Sequence, residues 1–399
     1  MAGATAQTPG VPPARPPIER RVVAALGAEP SRIPVVLGGC GSGRTSLLRR
    51  IARQLATRGG SQYIDIEAAG STPEGFLAAV TADSPYATGD DPRLFRDGRR
   101  SAREALDALL RFLGRPARRD AATPAFLIDG LLELRTFESF PGLRGVLGEF
   151  LDALEESPNR FALASRYVSR TLRLLRGRPD RFEVIHLPRL SPAEVTAALA
   201  VHRAGRTESE RNDLGRSVHA LADGRPVYVD RLAAALATAE AAPPADVLAA
   251  QLAPGAPLYW ICRFSYELRL HRARGYGALK AILAVLADEE PLTLTVIAVR
   301  LGRTPGSTRD YLSWLEDVDM IGVRQKRFSF VDPLLRLWVR LHCRPSPPEG
   351  AVLAREVQEY AASRLPHAEA APSPAAGPAA APPEPARRPR KSWGLIEID

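Results

Sequence analysis

The amino-acid sequence predicts an α/β fold in which a parallel sheet with helices on both faces is followed by an all-α lid and a winged helix-turn-helix. From residue 18 to residue 187, short apolar runs typical of strands alternate with longer runs typical of helices. A glycine-rich segment, 38–43, follows the first of these strands. After Pro188 the strand-like runs stop, and helical patterns extend to about residue 317. Strands that alternate with helices form a parallel sheet covered on both faces.

The elements of the first part follow from these runs. Strands are predicted over residues 33–37, 62–66, 125–128, 161–164 and 182–186, and helices over residues 45–57, 73–81, 101–113, 140–155 and 168–176. In the lid, helices are predicted over residues 191–202, 208–222 and 226–239. The first lid helix has Ser191 as its N-cap, Pro192 in its first turn and Glu194 to complete a capping box.

The patterns divide the chain into seven segments. Five prolines among the first 17 residues, without a periodic apolar pattern, indicate a disordered N-terminus. Later in the chain, the order helix, helix, helix and β-ribbon is typical of a winged helix-turn-helix. The predicted segments are the N-terminus (1–17), the core (18–187), the helical lid (188–250), a helical connector (251–276), the winged helix (277–345), a C-terminal helix (346–365) and a disordered alanine- and proline-rich tail (366–399).

The composition excludes several classes of protein. The 399 residues are 45% hydrophobic and 25% charged, which is typical of a globular chain. No apolar run reaches the ~18–20 residues that span a bilayer, and the N-terminus carries no secretory signal, so we expect a soluble, cytoplasmic protein. The three cysteines form no CxxC pair, which excludes a disulfide framework and a thiolate zinc site. The net charge of +9 is spread along the chain and does not by itself indicate a nucleic-acid partner.

The glycine-rich segment matches a phosphate-binding loop. Residues 38–45 read GGCGSGRT and fit the pattern GxxxxGK[ST], except that Arg44 stands in place of the lysine. Loop N–H groups and a helix N-terminus would hold a triphosphate, and Thr45 would place its hydroxyl on Mg²⁺. The other interpretation is a glycine-rich turn without a ligand. The residues predicted to bind the nucleotide here are Gly38, Gly39, Gly41, Ser42, Gly43, Arg44, Thr45 and Ser46.

Two later strand ends also carry polar residues. Residues 125–128 are apolar and lead to Asp129, at the sheet edge where ligands bind, so this carboxylate would hold Mg²⁺ together with Thr45. Glu133 is the nearest carboxylate that could polarise a water. Arg166 follows the next strand, where a guanidinium could neutralise phosphoryl charge. We therefore predict Glu133 and Arg166 as catalytic residues; the alternative is that these charged groups are solvated strand ends.

The order of these motifs resembles the STAND class of AAA+-related P-loop ATPases, above all its archaeal-type members. Segment 127–134 (LIDGLLEL) is similar to the NACHT-type Walker B strand, and segment 164–166 (ASR) to the Thr-Ser-Arg that ends the next strand. Segment 187–194 (LPRLSPAE) resembles the entry to the lid, and segment 331–338 (VDPLLRLW) the Asp-Pro…Trp motif that closes the winged helix. The resemblance covers roughly residues 20–342. It implies a P-loop NTPase fold, ATP and Mg²⁺ as cofactors, and nucleotide contacts from the Gly-x-Pro residues Gly224 and Pro226.

Three departures from the family pattern bear on activity. Arg44 replaces the phosphate-binding lysine, Leu132 replaces the first residue of the distal acidic pair, and Ala164 replaces a threonine. A guanidinium is larger and planar, whereas an ammonium is a compact point charge, so binding survives the exchange more readily than hydrolysis. The sequence therefore predicts an ATP-binding, nucleotide-gated switch with weak or absent hydrolysis. Two alternatives stay open: a nucleotide-independent DNA-binding or scaffold protein with a degenerate loop, and an active AAA+-type hydrolase that works as a ring.

Two segments are candidates for binding other macromolecules. The third helix of the winged helix, 307–317, has mixed charge, whereas the ribbon carries Arg324, Lys326 and Arg327. We expect this segment to contact protein, with DNA as the second candidate. Residues 387–399 (RRPRKSWGLIEID) are predicted to be a docking peptide that adds a strand to the sheet edge of a protein partner, or else a solubilising tail. No membrane partner is predicted.

Overall fold

A computed structural model gives the fold of the chain. It describes residues 15–57, 60–83, 85–86, 101–117, 122–178, 181–200, 207–239, 242–271, 275–344, 346, 348 and 350–365. The predicted docking peptide and the rest of the tail, 366–399, lie outside these residues, as does most of the predicted disordered N-terminus.

Five parallel strands form the central sheet. They are β1 (Ile33–Leu37), β2 (Ser61–Asp65), β3 (Ala125–Asp129), β4 (Arg160–Ser165) and β5 (Phe182–His186). Their order in the sheet is β2-β3-β4-β1-β5. β1 and β3 are flanked by a strand on each side and are buried along their whole length, which is why their sequences are uninterrupted apolar runs. The predicted parallel sheet is therefore confirmed.

Helices pack on both faces of this sheet. Successive residues of β1 belong to different apolar cores: Val35 and Leu37 face one core, and Val36 faces the other. Residues of a strand alternate between the two faces, so each face of β1 is covered. The helices of this part are α1 (Pro16–Gly27), α2 (Arg44–Ala56), α3 (Ile66–Ala69), α4 (Pro73–Ala82), α5 (Ala102–Leu113), α6 (Val146–Glu156) and α7 (Val168–Leu174).

In the part of the chain that the structure describes, five helices follow the sheet, with no strand between them. They are α8 (Pro192–Ala200), α9 (Glu208–Ala222), α10 (Pro226–Thr238), α11 (Pro244–Leu252) and α12 (Pro257–His271). α8 and α9 approach closely at Gly215, where a Cβ atom would lie 1.9 Å from Oγ1 of Thr196. At the end of α9, the Gly224 carbonyl accepts a hydrogen bond of 2.7 Å from Leu190 N, which fixes the chain between β5 and α8.

The remaining described residues combine helices with a small antiparallel sheet. The elements are α13 (Tyr276–Asp288), β6 (Leu292–Thr293), α14 (Leu294–Arg300), α15 (Pro305–Asp317), β7 (Ile321–Arg324), β8 (Arg327–Phe330), α16 (Pro333–His342) and α17 (Gly350–Ala362). The strands pair in the order β6-β8-β7. Asp332 caps α16 by accepting hydrogen bonds from Leu334 N (3.2 Å) and Leu335 N (3.1 Å). The assignment of this part as a winged helix stays a prediction.

The structure corrects several predicted boundaries. The helix predicted over 140–155 begins only at Val146, because residues 140–145 form turns that follow a 3₁₀ helix over Leu131–Ser139. α1 begins at Pro16, inside the segment predicted to be disordered, since proline is well suited to the first turn of a helix. β6 was not predicted, because two residues are too few to show a strand period. None of the helices in the described part of the chain is both long and apolar enough to cross a membrane.

Candidate functional site

Loops from four strands of the parallel sheet meet at its carboxyl edge and line a cavity of about 440 Å³. The sheet places them together because the carboxyl ends of parallel strands share one edge. Five residues of the predicted site line this cavity: Gly41, Arg44, Thr45, Asp129 and Arg166. The opposite wall consists of residues from α10 and of an apolar face of α12 that includes Trp260 and Phe264.

Glycine is required at two positions of the loop 38–43. Gly41 and Gly43 have φ angles of +72° and +89°, in the left-handed region that side chains rarely adopt. A Cβ atom on Gly41 would also lie 2.2 Å from Cγ1 of Val227, at the beginning of α10. The Gly41 carbonyl accepts a hydrogen bond of 3.2 Å from Val227 N. The loop tip is therefore held between the first turns of α2 and α10.

Thr45 and Asp129, the two predicted metal ligands, are in direct contact. Thr45 Oγ1 donates a hydrogen bond of 2.5 Å to Asp129 Oδ2, and Tyr63 OH donates to the same oxygen at 3.2 Å. Asp129 is 7% exposed. Burial, followed by the charge of Asp129, raises the pKa of Tyr63, so the phenol stays protonated and donates. Hydroxyl and carboxylate oxygens are ligands that Mg²⁺ accepts, and this pair fits that ion.

Arg44 turns towards its own loop. Its Nη1 donates to the carbonyl oxygens of Gly38 and Gly39, and to Oγ of Ser42 at 3.0 Å. Burial lowers the pKa of Arg44, although the guanidinium remains charged at neutral pH. This side chain therefore contacts acceptors of its own loop.

Glu133 and Arg166, the predicted catalytic pair, lie close to each other. Arg166 Nη2 forms an ion pair with Glu67 and is 3.5 Å from Oε1 of Glu133. Glu133 is 3% exposed and is not part of the cavity lining, whereas Arg166 is. The structure thus places Arg166 at the cavity, whereas Glu133 is buried on the far side of Arg166 from the cavity.

The two predicted Gly-x-Pro residues and Ser46 have different surroundings. Pro226 lines a second cavity, of about 290 Å³, together with Gly38 and Gly39 on the other side of the loop. Gly224, with φ +61°, lies against Leu190 O and lines neither cavity. Ser46 is in the first turn of α2 and also lines neither cavity.

The sequence reasoning missed several residues of the site. Asp65 ends β2, Glu67 lies two residues beyond it, and both line the cavity; their position at the end of a strand of the same sheet was a usable signal. Cys40 lines it too. Burial by itself would raise the pKa of Cys40, but the guanidinium groups of Arg269, Arg44 and Arg166 lower the pKa to about 7. No local pattern in the sequence indicates that Arg269, on α12, reaches the loop.

The parallel sheet, the glycine loop between β1 and α2 and the aspartate at the end of β3 define the fold of an AAA+-related P-loop ATPase. Comparison with solved structures supports this at the level of fold. The Walker-type ATPase of Pyrococcus abyssi superposes with a TM-score of 0.57 at 17% identity, over 82% of this chain and 95% of that one. The predicted fold class is thereby confirmed.

Two further solved structures match the chain with lower scores. Cdc6p of Pyrobaculum aerophilum has a TM-score of 0.40 at 15% identity, over 90% of this chain and 98% of that one. A STAND protein with a tetratricopeptide repeat sensor from Pyrococcus horikoshii has a TM-score of 0.31 at 12% identity, over 88% of this chain and 45% of that one. Neither a protein-family profile nor a curated protein matches the chain.

Proposed function

We propose that this protein binds ATP with Mg²⁺ and acts as a nucleotide-gated switch whose hydrolysis is weak or absent. The observation that carries the proposal is the hydrogen bond of 2.5 Å between Thr45 Oγ1 and Asp129 Oδ2. It pairs two Mg²⁺-compatible oxygens beside a glycine loop, in a cavity of about 440 Å³ that is lined by two arginines, Arg44 and Arg166.

In this proposal the loop N–H groups and Arg44 hold the phosphates, while Thr45 and Asp129 hold the metal. Bound Mg²⁺ would supply positive charge between the phosphate oxygens. Arg166 lines the same cavity and would face the terminal phosphate. Pro226, which lines the second cavity beside Gly38 and Gly39, would contact the adenosine part of the nucleotide.

Two features favour binding over turnover. Arg44 provides a planar, bulky cation where the family pattern has a compact ammonium. Glu133, the predicted base, is 3% exposed and is 3.5 Å from Arg166 in an ion pair. A carboxylate that is buried and engaged with a guanidinium is poorly placed to receive a proton from water.

The gating part of the proposal rests on contacts between the loop and the helices that follow the sheet. Val227 N donates to Gly41 O at 3.2 Å, and Arg225 Nη2 donates to Val331 O at 2.9 Å. Arg225 is also 3.4 Å from Asp332, the cap of α16. These elements could adopt one arrangement with the contacts formed and another with them broken. A ligand in the loop would shift the balance between the two arrangements if it binds one of them more tightly.

A titration with a fluorescent ATP analogue, with and without Mg²⁺, tests the proposal. Saturable binding that Mg²⁺ strengthens supports it, and the absence of saturable binding refutes it. Thr45→Ala should weaken binding by about tenfold when Mg²⁺ is present, the size of one lost polar contact. Thr57→Ala is the matched control, because Thr57 is an exposed hydroxyl just beyond the other end of α2.

One observation favours the alternative, a nucleotide-independent DNA-binding or scaffold protein. Arg44 donates to the carbonyl groups of Gly38 and Gly39 of its own loop, and these hydrogen bonds compete with a contact to phosphate. This alternative predicts that ATP leaves the melting temperature unchanged at millimolar concentration. An active ring hydrolase predicts instead that ATP drives assembly, which size-exclusion chromatography would detect.

A protein partner is proposed for the C-terminal peptide or the 276–342 part, with DNA as the second candidate. Arg324, Lys326 and Arg327 lie at the exposed turn between β7 and β8. Substituting all three with alanine should abolish salt-dependent retention on double-stranded DNA if DNA is the partner. Deleting residues 387–399 should leave the melting temperature and ATP affinity unchanged while removing a protein contact.

A further inference from the structure

Asp319, two residues beyond the end of α15, contacts the segment that follows β4. Asp319 accepts hydrogen bonds from Val168 N at 2.5 Å, from Ser169 N at 3.3 Å and from Ser169 Oγ at 2.9 Å. Val168 is the second residue after Arg166 and the first residue of α7. The carboxylate thus holds the backbone directly beyond the arginine that lines the cavity.

The same residue contacts a second arginine of the loop region. The backbone carbonyl of Asp319 accepts a hydrogen bond of 2.9 Å from Nη1 of Arg269. Arg269 is 3% exposed, and its guanidinium lowers the pKa of Cys40 in the glycine loop. Arg269 and Arg166 both lower the pKa of Cys40, so both guanidinium groups act on the same loop residue.

The position of Asp319 is well defined by its surroundings. Its φ angle is +52°, and its N–H donates to Glu316 O at 3.0 Å, so it forms a tight turn after α15. Nearby, Asp317 pairs with Arg173 and lies 3.6 Å from Arg170, both on α7. The turn is therefore a junction between α7, α12 and the 276–342 part.

We propose that Asp319 is a positioning residue that holds Arg166 and Arg269 beside the glycine loop and so couples the loop to the 276–342 part. The carboxylate acts through α7 on Arg166, and the backbone carbonyl acts directly on Arg269. A phosphate group that draws these arginines towards itself would loosen the junction. The coupling to phosphate rests on the proposed nucleotide function, whereas the positioning of the arginines does not.

The positioning can be tested without a nucleotide, through the pH dependence of Cys40 alkylation by iodoacetamide, measured by peptide mass spectrometry. In Asp319→Asn the weaker hold on α7 should let Arg166 move away from Cys40, and the alkylation midpoint should rise from about 7 by roughly half a pH unit or more. Asparagine is chosen because it tolerates a positive φ. The direction of the shift in the alkylation midpoint separates the two effects, because loss of the carboxylate charge alone would lower the pKa of the Cys40 thiol.

Asp310→Asn is the matched control, because Asp310 is an exposed carboxylate on α15, the helix that precedes Asp319. It should leave the midpoint unchanged. An unchanged or lowered midpoint in Asp319→Asn overturns the proposal. If that variant fails to fold, Ser169→Ala removes one of the three contacts and should give a smaller rise in the same direction; no rise there overturns the proposal as well.

The coupling to phosphate is tested by the ratio of ATP to ADP affinity. Asp319→Asn should reduce ATP affinity at least about threefold more than ADP affinity, because Arg166 would face the terminal phosphate. The difference between the losses of ATP and ADP affinity should vanish in an Arg166→Ala background. A purely structural role of Asp319 would lower both affinities equally in either background. If the wild type binds neither nucleotide, the proposed function fails, and the alkylation result still decides the positioning of the arginines.

Discussion

Replacing Arg44 is the most direct test of the proposed switch. Its Nη1 donates to the carbonyl groups of Gly38 and Gly39 and to Oγ of Ser42. A bound triphosphate would offer charged acceptors in their place. The substitutions Arg44→Ala and Arg44→Lys separate the charge of this residue from its shape.

The size of the effect follows from this exchange of acceptors. A charge-assisted hydrogen bond to phosphate contributes about 1.5–3 kcal/mol, and the hydrogen bonds that Arg44 gives up in the loop offset part of that gain. Because about 1.4 kcal/mol corresponds to tenfold, Arg44→Ala should weaken ATP binding by about ten- to a hundredfold. Arg44→Lys restores a compact cation, so binding should persist and hydrolysis should rise from near zero.

The assay is a competition titration for ATP and ADP, combined with phosphate release at saturating ATP. Arg53→Ala is the control, since Arg53 is an exposed arginine in the last turn of α2 and is expected to bind ATP like the wild type. If neither Arg44 variant changes ATP affinity, Arg44 stays on the loop carbonyls and the reasoning is refuted. Wild-type turnover of about one per second would show that arginine supports catalysis.

Three further predictions follow from the site. Asp129→Asn should weaken ATP binding about tenfold with Mg²⁺ but not in EDTA; equal loss under both conditions would indicate a folding defect. Alkylation of Cys40 should rise with pH around a midpoint of about 7, since the thiolate is the nucleophile, whereas buried Cys262, whose pKa burial raises, should not react; ATP should protect Cys40, and no protection would place the nucleotide elsewhere. Gly41→Ala should lower the free energy of unfolding by roughly 1–3 kcal/mol in urea titrations, because of its positive φ and its contact with Val227, and a neutral result would contradict the described loop conformation.

Local patterns were sufficient to predict the sheet and the centre of the site. β1 and β5 occupy the predicted residues. β3 is one residue longer at its end, β4 is one residue longer at each end, and β2 is displaced by one residue. Buried parallel strands are continuous apolar runs, so a single sequence shows them clearly. The position of Asp129 beside Thr45 also followed from sequence, because the loop after β1 and the end of β3 must meet at one edge of the sheet.

Contacts between distant segments were decided by the tertiary structure alone. Asp319 and Ser169 are 150 residues apart, and no periodicity in either segment indicates that one contacts the other. The burial of Glu133 behind Arg166 likewise depends on the 3₁₀ helix Leu131–Ser139, for which no element was predicted. The periodicity of apolar residues and the positions of turn residues indicate which face of a helix or strand is buried. They do not indicate which other element packs against that face. For that reason α12, whose apolar face and Arg269 close the site, was predicted only as a connector.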